Sequence, residues 1–162
     1  MVAIMNEALK LEVGQHILEV GAGSGWHACT IAEIVAPSGT PRSEWGHIYT
    51  IEIVQELADF ARRNIMRVGY GDRVTIIAGD GSLGFPEKAP YDRILVTAAA
   101  PEIPEPLVEQ LKVNGILLIP VGGTSFFQSL MRITKLQDGK LKRENLGGVA
   151  FVPLRGKYGF KV

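Results

Sequence analysis

The residues best placed to do chemistry in this 162-residue chain fall just after short apolar runs. The first group is Glu19, then Val20, then Gly21-Ala22-Gly23-Ser24-Gly25. Glycines at this spacing let the backbone turn tightly and let a ligand approach the main chain, and the start of the following helix faces whatever binds. A dinucleotide fingerprint would place its third glycine three residues after the second, but Trp26 stands there and the spacing is G-x-G-x-G. Glu19 argues the same way: a carboxylate would repel a diphosphate and attract an ammonium group. The loop alone also suits a strand-to-helix turn around some other ligand.

Glu52, with Ile53 beside it, ends a second apolar run. A carboxylate at that place accepts hydrogen bonds from both hydroxyls of a ribose and repels a 2′-phosphate. It lies farther from the glycine loop than the usual spacing, and the segment from Pro37 to Trp45 accounts for the excess. A solvated acid ahead of a helix would look the same. Asp80, between Gly79 and Gly81, ends a third run; it could accept from an adenine amino group, although Gly-Asp-Gly is also a plain turn sequence. Three run ends, each with a group suited to one part of a single ligand, point to S-adenosylmethionine, which carries an ammonium, a ribose and an adenine.

The elements that must position these groups alternate. Residues 1 to 11 read as an amphipathic helix with Ile4, Ala8 and Leu11 along one side, Met5 and Leu9 adjacent, and no capping residue ahead of it. Strands are expected at 16–20, 46–51, 74–78, 91–97 and 115–121, and helices at 26–35, 54–68 and 104–111. The remainder, 129–136 and 141–152, alternates like an antiparallel hairpin around Asp138-Gly139. This order predicts an α/β, Rossmann-like fold: a mostly parallel central sheet, helices on both faces and a C-terminal antiparallel hairpin.

Composition narrows the function further. The hydrophobic share is 46% and the charged share 21%, with 17 Lys and Arg balanced by 17 Asp and Glu. No basic excess exists to neutralise phosphates, so nucleic acid is not expected as a partner. The single cysteine, Cys29, cannot form an internal disulfide or a cysteine metal cluster, and no apolar run reaches membrane-spanning length. A cytoplasmic protein with no metal and no membrane partner is expected, and the oligomeric state stays open. His16, His27 and His47 lack clustered partners and read as structural. Trp26 reads as core packing between helix and sheet, with a place over the cofactor as the other option. Phe126 and Phe127, near Gly122-Gly123, suit a patch, a lid or core.

The glycine loop, Glu52, Gly79-Asp-Gly81, Ala89-Pro-Tyr-Asp-Arg-Ile94, Ala98-Ala-Ala-Pro101 with Pro104, Leu118-Leu-Ile-Pro-Val-Gly122 and Val149-Ala-Phe-Val-Pro-Leu154, in this order, resemble the protein-L-isoaspartate (D-aspartate) O-methyltransferases. The resemblance spans nearly the whole chain. It implies methyl transfer from S-adenosyl-L-methionine, leaving S-adenosyl-L-homocysteine, to the free carboxyl of L-isoaspartyl and D-aspartyl residues in damaged peptides and proteins, a repair reaction. By position it implies that Gly21, Gly23, Ser24 and Gly25 hold the methionine part, Glu52 the ribose, and Asp80 with Gly81 the adenine. Ala98, Ala99, Ala100 and Pro101, with the C-terminal segment from Val149 to Leu154, Val149 and Phe151 foremost, would flank the substrate peptide.

Family members carry an N-terminal helical region and a Thr-Ile-Ser-Ala-Pro-His loop before a helix that begins like Met1-Val2-Ala3. The resemblance therefore implies one methyltransferase domain over 1–162, truncated at its N-terminus, with the family's catalytic hydroxyl residue lying before Met1. The segment from Ala36 to Trp45 is longer than its family counterpart, and Arg155 is a cation not expected near the cofactor. Other readings are a methyltransferase for another carboxylate or small molecule, a cofactor-binding module with little activity and, more distantly, a nicotinamide dehydrogenase.

Overall fold

A computed structural model describes residues 1–124 and 127–161. Its centre is a seven-stranded sheet in the order β3-β2-β1-β4-β5-β6-β7. The strands are β1 (His16–Val20), β2 (His47–Glu52), β3 (Val74–Ala78), β4 (Tyr91–Val96), β5 (Leu111–Gly122), β6 (Gln128–Lys135) and β7 (Leu141–Val149). Strands β1 to β5 pair in parallel, whereas β6 and β7 pair antiparallel at the far edge. The expected fold class is borne out, down to the hairpin. Because β1 sits between β2 and β4, the strand order reverses there, and a crevice opens at the carboxyl ends of these strands.

The inner strands are apolar on both faces because both are covered. Leu18 and Val20 of β1 pack on one side with Ile94, Leu117 and Leu107. Ile17 packs on the other with Met5, Leu9, Ala28 and Ile31. Helices α1 (Val2–Leu9), α2 (Trp26–Val35) and α3 (Gln55–Arg67) cover this second side. The short α4 (Glu105–Glu109), tight turns at Gly81–Leu83 and Pro86–Lys88, and Leu154 lie on the first. In α3 the buried residues Ala58, Ala61 and Ile65 fall at helical spacing and its arginines point outward.

Several boundaries differ from the sequence expectations, most by one residue, and β7 ends at Val149 where 152 was expected. Helix α1 stops at Leu9, where Lys10 turns left-handed (φ 51°), and it buries Met5 and Leu9 while Ile4 is 57% exposed. Helix α4 ends at Glu109, and β5 already begins at Leu111, opposite Tyr91. Asn114, at φ 64°, accompanies an irregularity that shifts the register before Ile116 pairs with Arg93. The segment before β2 contains a short turn of helix at Arg42–Glu44, closed over by Trp45, whose ring N–H donates to the carbonyls of Pro37 and Thr40.

Residues 152–160 form a strap across the carboxyl ends of the strands. Ala99 donates its N–H to Val152, Leu154 donates to Ala99, and Phe160 donates to Leu154. Further along, Lys157 donates its N–H to Asp80 at 2.8 Å and Tyr158 to the Ser82 hydroxyl at 3.1 Å.

Candidate active site

The glycine loop leaves β1 at the switch point, and its geometry explains its composition. Gly21 has φ 97°, and a Cβ there would run into the Thr97 hydroxyl. That hydroxyl lies 2.8 Å from the Gly21 carbonyl and 3.0 Å from the Val20 carbonyl, tying the end of β4 to the loop. A side chain at residue 21 would therefore cost both backbone strain and this hydrogen bond.

Glu52 fixes the crest of the loop. Its Oε2 accepts from the Gly23 N–H and its Oε1 from the Val54 N–H, both at 3.1 Å. The carboxylate is 6% exposed and lies in the wall of the crevice. A carboxylate offers about four lone-pair sites, so two protein N–H groups leave capacity for two hydroxyls of a ligand.

The crevice is a cleft of about 670 Å³, within the usual range for small-molecule sites. Of the residues expected to contact the cofactor, Gly21, Gly23, Glu52, Ile53 and Gly81 line it, and Ala98 joins them from the expected substrate set. Gly81 packs directly on Val20, where any Cβ would collide with the valine side chain. The sequence reading missed Thr97 and Leu57, both in the lining, while Val152 joins it from the C-terminal segment expected there. Val152 is 70% exposed. It lies next to Phe151, and residues adjacent in an extended chain face opposite ways.

Several expected residues lie elsewhere. Glu19 is fully buried and does not line the cleft. On a strand it shares its face with Ile17, beneath α2, whereas Val20 turns toward the ligand side. Its carboxyl does not face the cleft in this structure. Asp80 is engaged by the protein itself: Oδ1 accepts from the N–H and hydroxyl of Ser82, and Oδ2 from the Lys157 N–H. It anchors the strap and is not part of the cleft lining. Ser24 and Gly25 line a neighbouring hollow between α2 and α3, where the Ser24 carbonyl accepts from Asn64.

The peptide-flanking expectations divide in the same way. Ala99 and Ala100 are fully buried, bonded to the strap and to Pro120, while Pro101 borders a separate depression beside residues 157–161. Val149 and Phe151 pack against the core under the sheet, and the Phe151 N–H donates to the Gln128 side chain. Trp26 does not fill the core; it is 67% exposed on the first turn of α2. Phe127 is 89% exposed, and Phe126 lies outside the described residues.

Beneath the loop, Glu19 and His27 form a buried polar pair. Thr50 donates its hydroxyl to Glu19 Oε2, and Oε1 has no hydrogen-bond partner. Burial pushes the Glu19 carboxyl up to about 8, with the Thr50 hydrogen bond opposing and the Glu52 charge reinforcing the rise. Burial likewise pulls His27 down to about 4, helped by the positive N-terminus. Asn6 donates its amide to Thr30, so its oxygen accepts from His27 Nε2 at 2.8 Å. That assignment turns the lone pair on Nδ1 toward Glu19 Oε1, 3.9 Å away. A protonated Glu19 and a neutral His27 are the compatible forms. Among the described residues, no group of three His, Cys, Asp or Glu side chains is placed to hold a metal ion, and no helix is long and apolar enough to cross a membrane.

A parallel sheet whose switch point lies under a G-x-G-x-G loop, with an acid ending the neighbouring strand, defines the class of S-adenosylmethionine-dependent methyltransferase folds. Within that class, the model of the protein-L-isoaspartate(D-aspartate) O-methyltransferase family matches residues 1–159, and the chain belongs to this family. A protein-L-isoaspartate O-methyltransferase of Hyperthermus butylicus is 57% identical over 161 residues, covering 99% of this chain and 66% of its own length. One from Thermococcus onnurineus is 53% identical, with 99% and 69% covered. The chain thus spans about two thirds of the length of these relatives. A solved protein-L-isoaspartate O-methyltransferase superposes with a TM-score of 0.85 at 29% identity, over 98% of this chain and 47% of that one. A Plasmodium falciparum structure described as a beta-aspartate methyltransferase, in complex with S-adenosyl-L-homocysteine, gives 0.78 at 28% identity, over 95% and 71%. The resemblance carried by the motifs is borne out.

Proposed function

We propose that this chain methylates the free carboxyl of L-isoaspartyl and D-aspartyl residues in peptides and proteins, with S-adenosylmethionine as donor. The observation that carries the reading is Glu52: a nearly buried carboxylate in the wall of an apolar cleft, held at the crest of the glycine loop with acceptor capacity to spare. The residues present fit the cofactor at that end. Gly21 and Gly23 would bring backbone against its amino-acid part, Glu52 would take the ribose hydroxyls, and Ile53 and Gly81 would border the base. Bound there, the cofactor supplies an electrophilic methyl group: the acceptor oxygen forms the new C–O bond and the electron pair of the breaking C–S bond stays on sulfur.

The protein's own task is then alignment. A carboxyl group of ordinary pKa, about 4, is ionised at neutral pH and needs no general base. This agrees with a cleft whose described lining contains no histidine and whose one carboxylate is committed to backbone N–H groups. Apolar walls from Ile51, Leu57 and Leu154 exclude water, and holding oxygen and methyl in line is itself a large source of rate enhancement.

Calorimetry with S-adenosylhomocysteine and with NAD tests the cofactor: binding of the first and not the second is expected. Radiolabelled methyl transfer to an isoaspartyl peptide and not to its aspartyl twin tests the acceptor. S-adenosylhomocysteine binding without transfer to either peptide would favour a cofactor-binding module, and labelling of small carboxylates alone would favour a different acceptor.

A further inference from the structure

Arg155 has no place in the reading so far, and its setting is unusual. It is the one positively charged residue among the described residues lining the cleft, where the only other charge is Glu52. Its backbone is pinned on both sides: Leu154 is bonded to Ala99 before it, and Lys157 to Asp80 after it. Its side chain is exposed at the lip. Among the described residues its guanidinium has no carboxylate within 4.0 Å and no hydrogen-bond acceptor. Several other arginines of the sheet region are committed: Arg132 to Glu144, Arg73 to Glu33 and Arg93 to the carbonyls that end α1. A cation beside an apolar cleft, on a backbone held to either side and without a carboxylate of its own, is suited to receive an anion from outside.

We propose that Arg155 is a positioning residue that holds the carboxylate of the acceptor peptide at the mouth of the cleft. This rests on the methyltransferase reading above. The cofactor carries a sulfonium, and a second cation beside it is unfavourable unless an anion lies between them. The acceptor carboxylate is that anion. With about four lone-pair sites, it can give one oxygen to the guanidinium and keep the other free to attack. The neighbours Thr97, Ala98 and Val152, which also border the cleft, would pack against the peptide around it. Because the contact exists before methyl transfer and weakens as the carboxylate loses its charge, Arg155 acts on substrate capture and not on the chemical step.

The test compares wild type, Arg155→Lys and Arg155→Met in steady-state methylation of an isoaspartyl peptide, with calorimetry of S-adenosylhomocysteine alongside. The exposed side chain makes both variants compatible with folding, which circular dichroism checks. Arg155→Met is expected to raise KM about tenfold or more, the effect of losing a hydrogen bond to a charged group, with kcat changed less than about threefold. Arg155→Lys, which keeps the charge and loses the fork, is expected to fall between. S-adenosylhomocysteine affinity should be unchanged within about twofold, since its neutral sulfur feels little of the cation. An unchanged KM in Arg155→Met overturns the proposal. So does a tenfold loss of S-adenosylhomocysteine affinity, which would make Arg155 a partner of the cofactor. Failure of the wild type to methylate the isoaspartyl peptide at all would overturn the methyltransferase reading first, and this one with it.

Discussion

Replacing Glu19 by glutamine should remove a measurable alkaline weakness from this fold. In the folded chain Glu19 stays protonated up to about pH 8, against an ordinary value of 4.5. The native state therefore keeps a proton that the unfolded chain gives up. Stability from this group is full below pH 4.5 and drains away as pH rises toward 8, at up to about 1.4 kcal/mol per pH unit. His27 slopes the other way. Its native value is near 4 against 6.5, so its contribution is full above pH 6.5 and is lost as pH falls toward 4. Between pH 4.5 and 6.5 the two slopes oppose one another, and above 6.5 only the Glu19 slope remains. From pH 6.5 to 8 that slope amounts to about 2 kcal/mol.

Glutamine is close to isosteric and still accepts from Thr50, and its amide can turn toward the His27 Nδ1 lone pair, so the fold should survive. Denaturant melts of the two proteins at pH 6.5, 7.2 and 8 give the measurement. The wild type should lose about 2 kcal/mol relative to Glu19→Gln across that span. Parallel curves would refute the reasoning and mean that Glu19 is ionised in the native state. Comparing the pair cancels the other groups that titrate in this window, such as the N-terminal amine.

Other substitutions probe the site directly. Gly21→Ala combines a positive φ with a collision at Thr97 and should cost about 2–4 kcal/mol, read as a fall in denaturant midpoint, with loss of S-adenosylhomocysteine binding. Glu52→Gln must turn an amide toward one of two backbone donors, at Gly23 or Val54; calorimetry should show S-adenosylhomocysteine affinity reduced about tenfold or more. Asp80→Asn puts an amide against donors from Ser82 or Lys157, and hydrogen exchange should show faster exchange at Lys157 and Tyr158 than in the wild type. Trp26→Ala should change stability by less than about 0.5 kcal/mol, because the ring is mostly exposed; a loss of several kcal/mol would restore it to the core.

The sequence discloses what depends on neighbours in the chain. The bounds of β1, α2 and β3 follow from apolar runs that end at glycines, and Glu52 is legible because it closes such a run. The direction of Glu19 was also within reach, since alternation along β1 puts it on the face of Ile17 and away from Val20. The start of β5 is harder: Leu111-Lys112-Val113-Asn114 continues a helical stretch in composition, and only pairing with Tyr91 makes it strand. The role of Asp80 is only half local. Gly79-Asp-Gly81 reads as a turn, in keeping with the bonds to Ser82 two residues on, but the other partner, the Lys157 N–H, lies 77 positions away.

That distance has a bearing on how the protein becomes functional. The loop and Glu52 belong to β1 and β2, paired in parallel, and β4 returns beside β1 to bring Thr97 against Gly21 from 76 positions away. The lip needs later residues. It exists only once residues 152–160 return to Ala99 and Asp80, the second contact spanning 77 positions. Loop closure over such spans favours late formation. On a ribosome, the chain would hold a folded platform before it held a site, and competence to grip a ligand would wait for residues 152–160 to emerge.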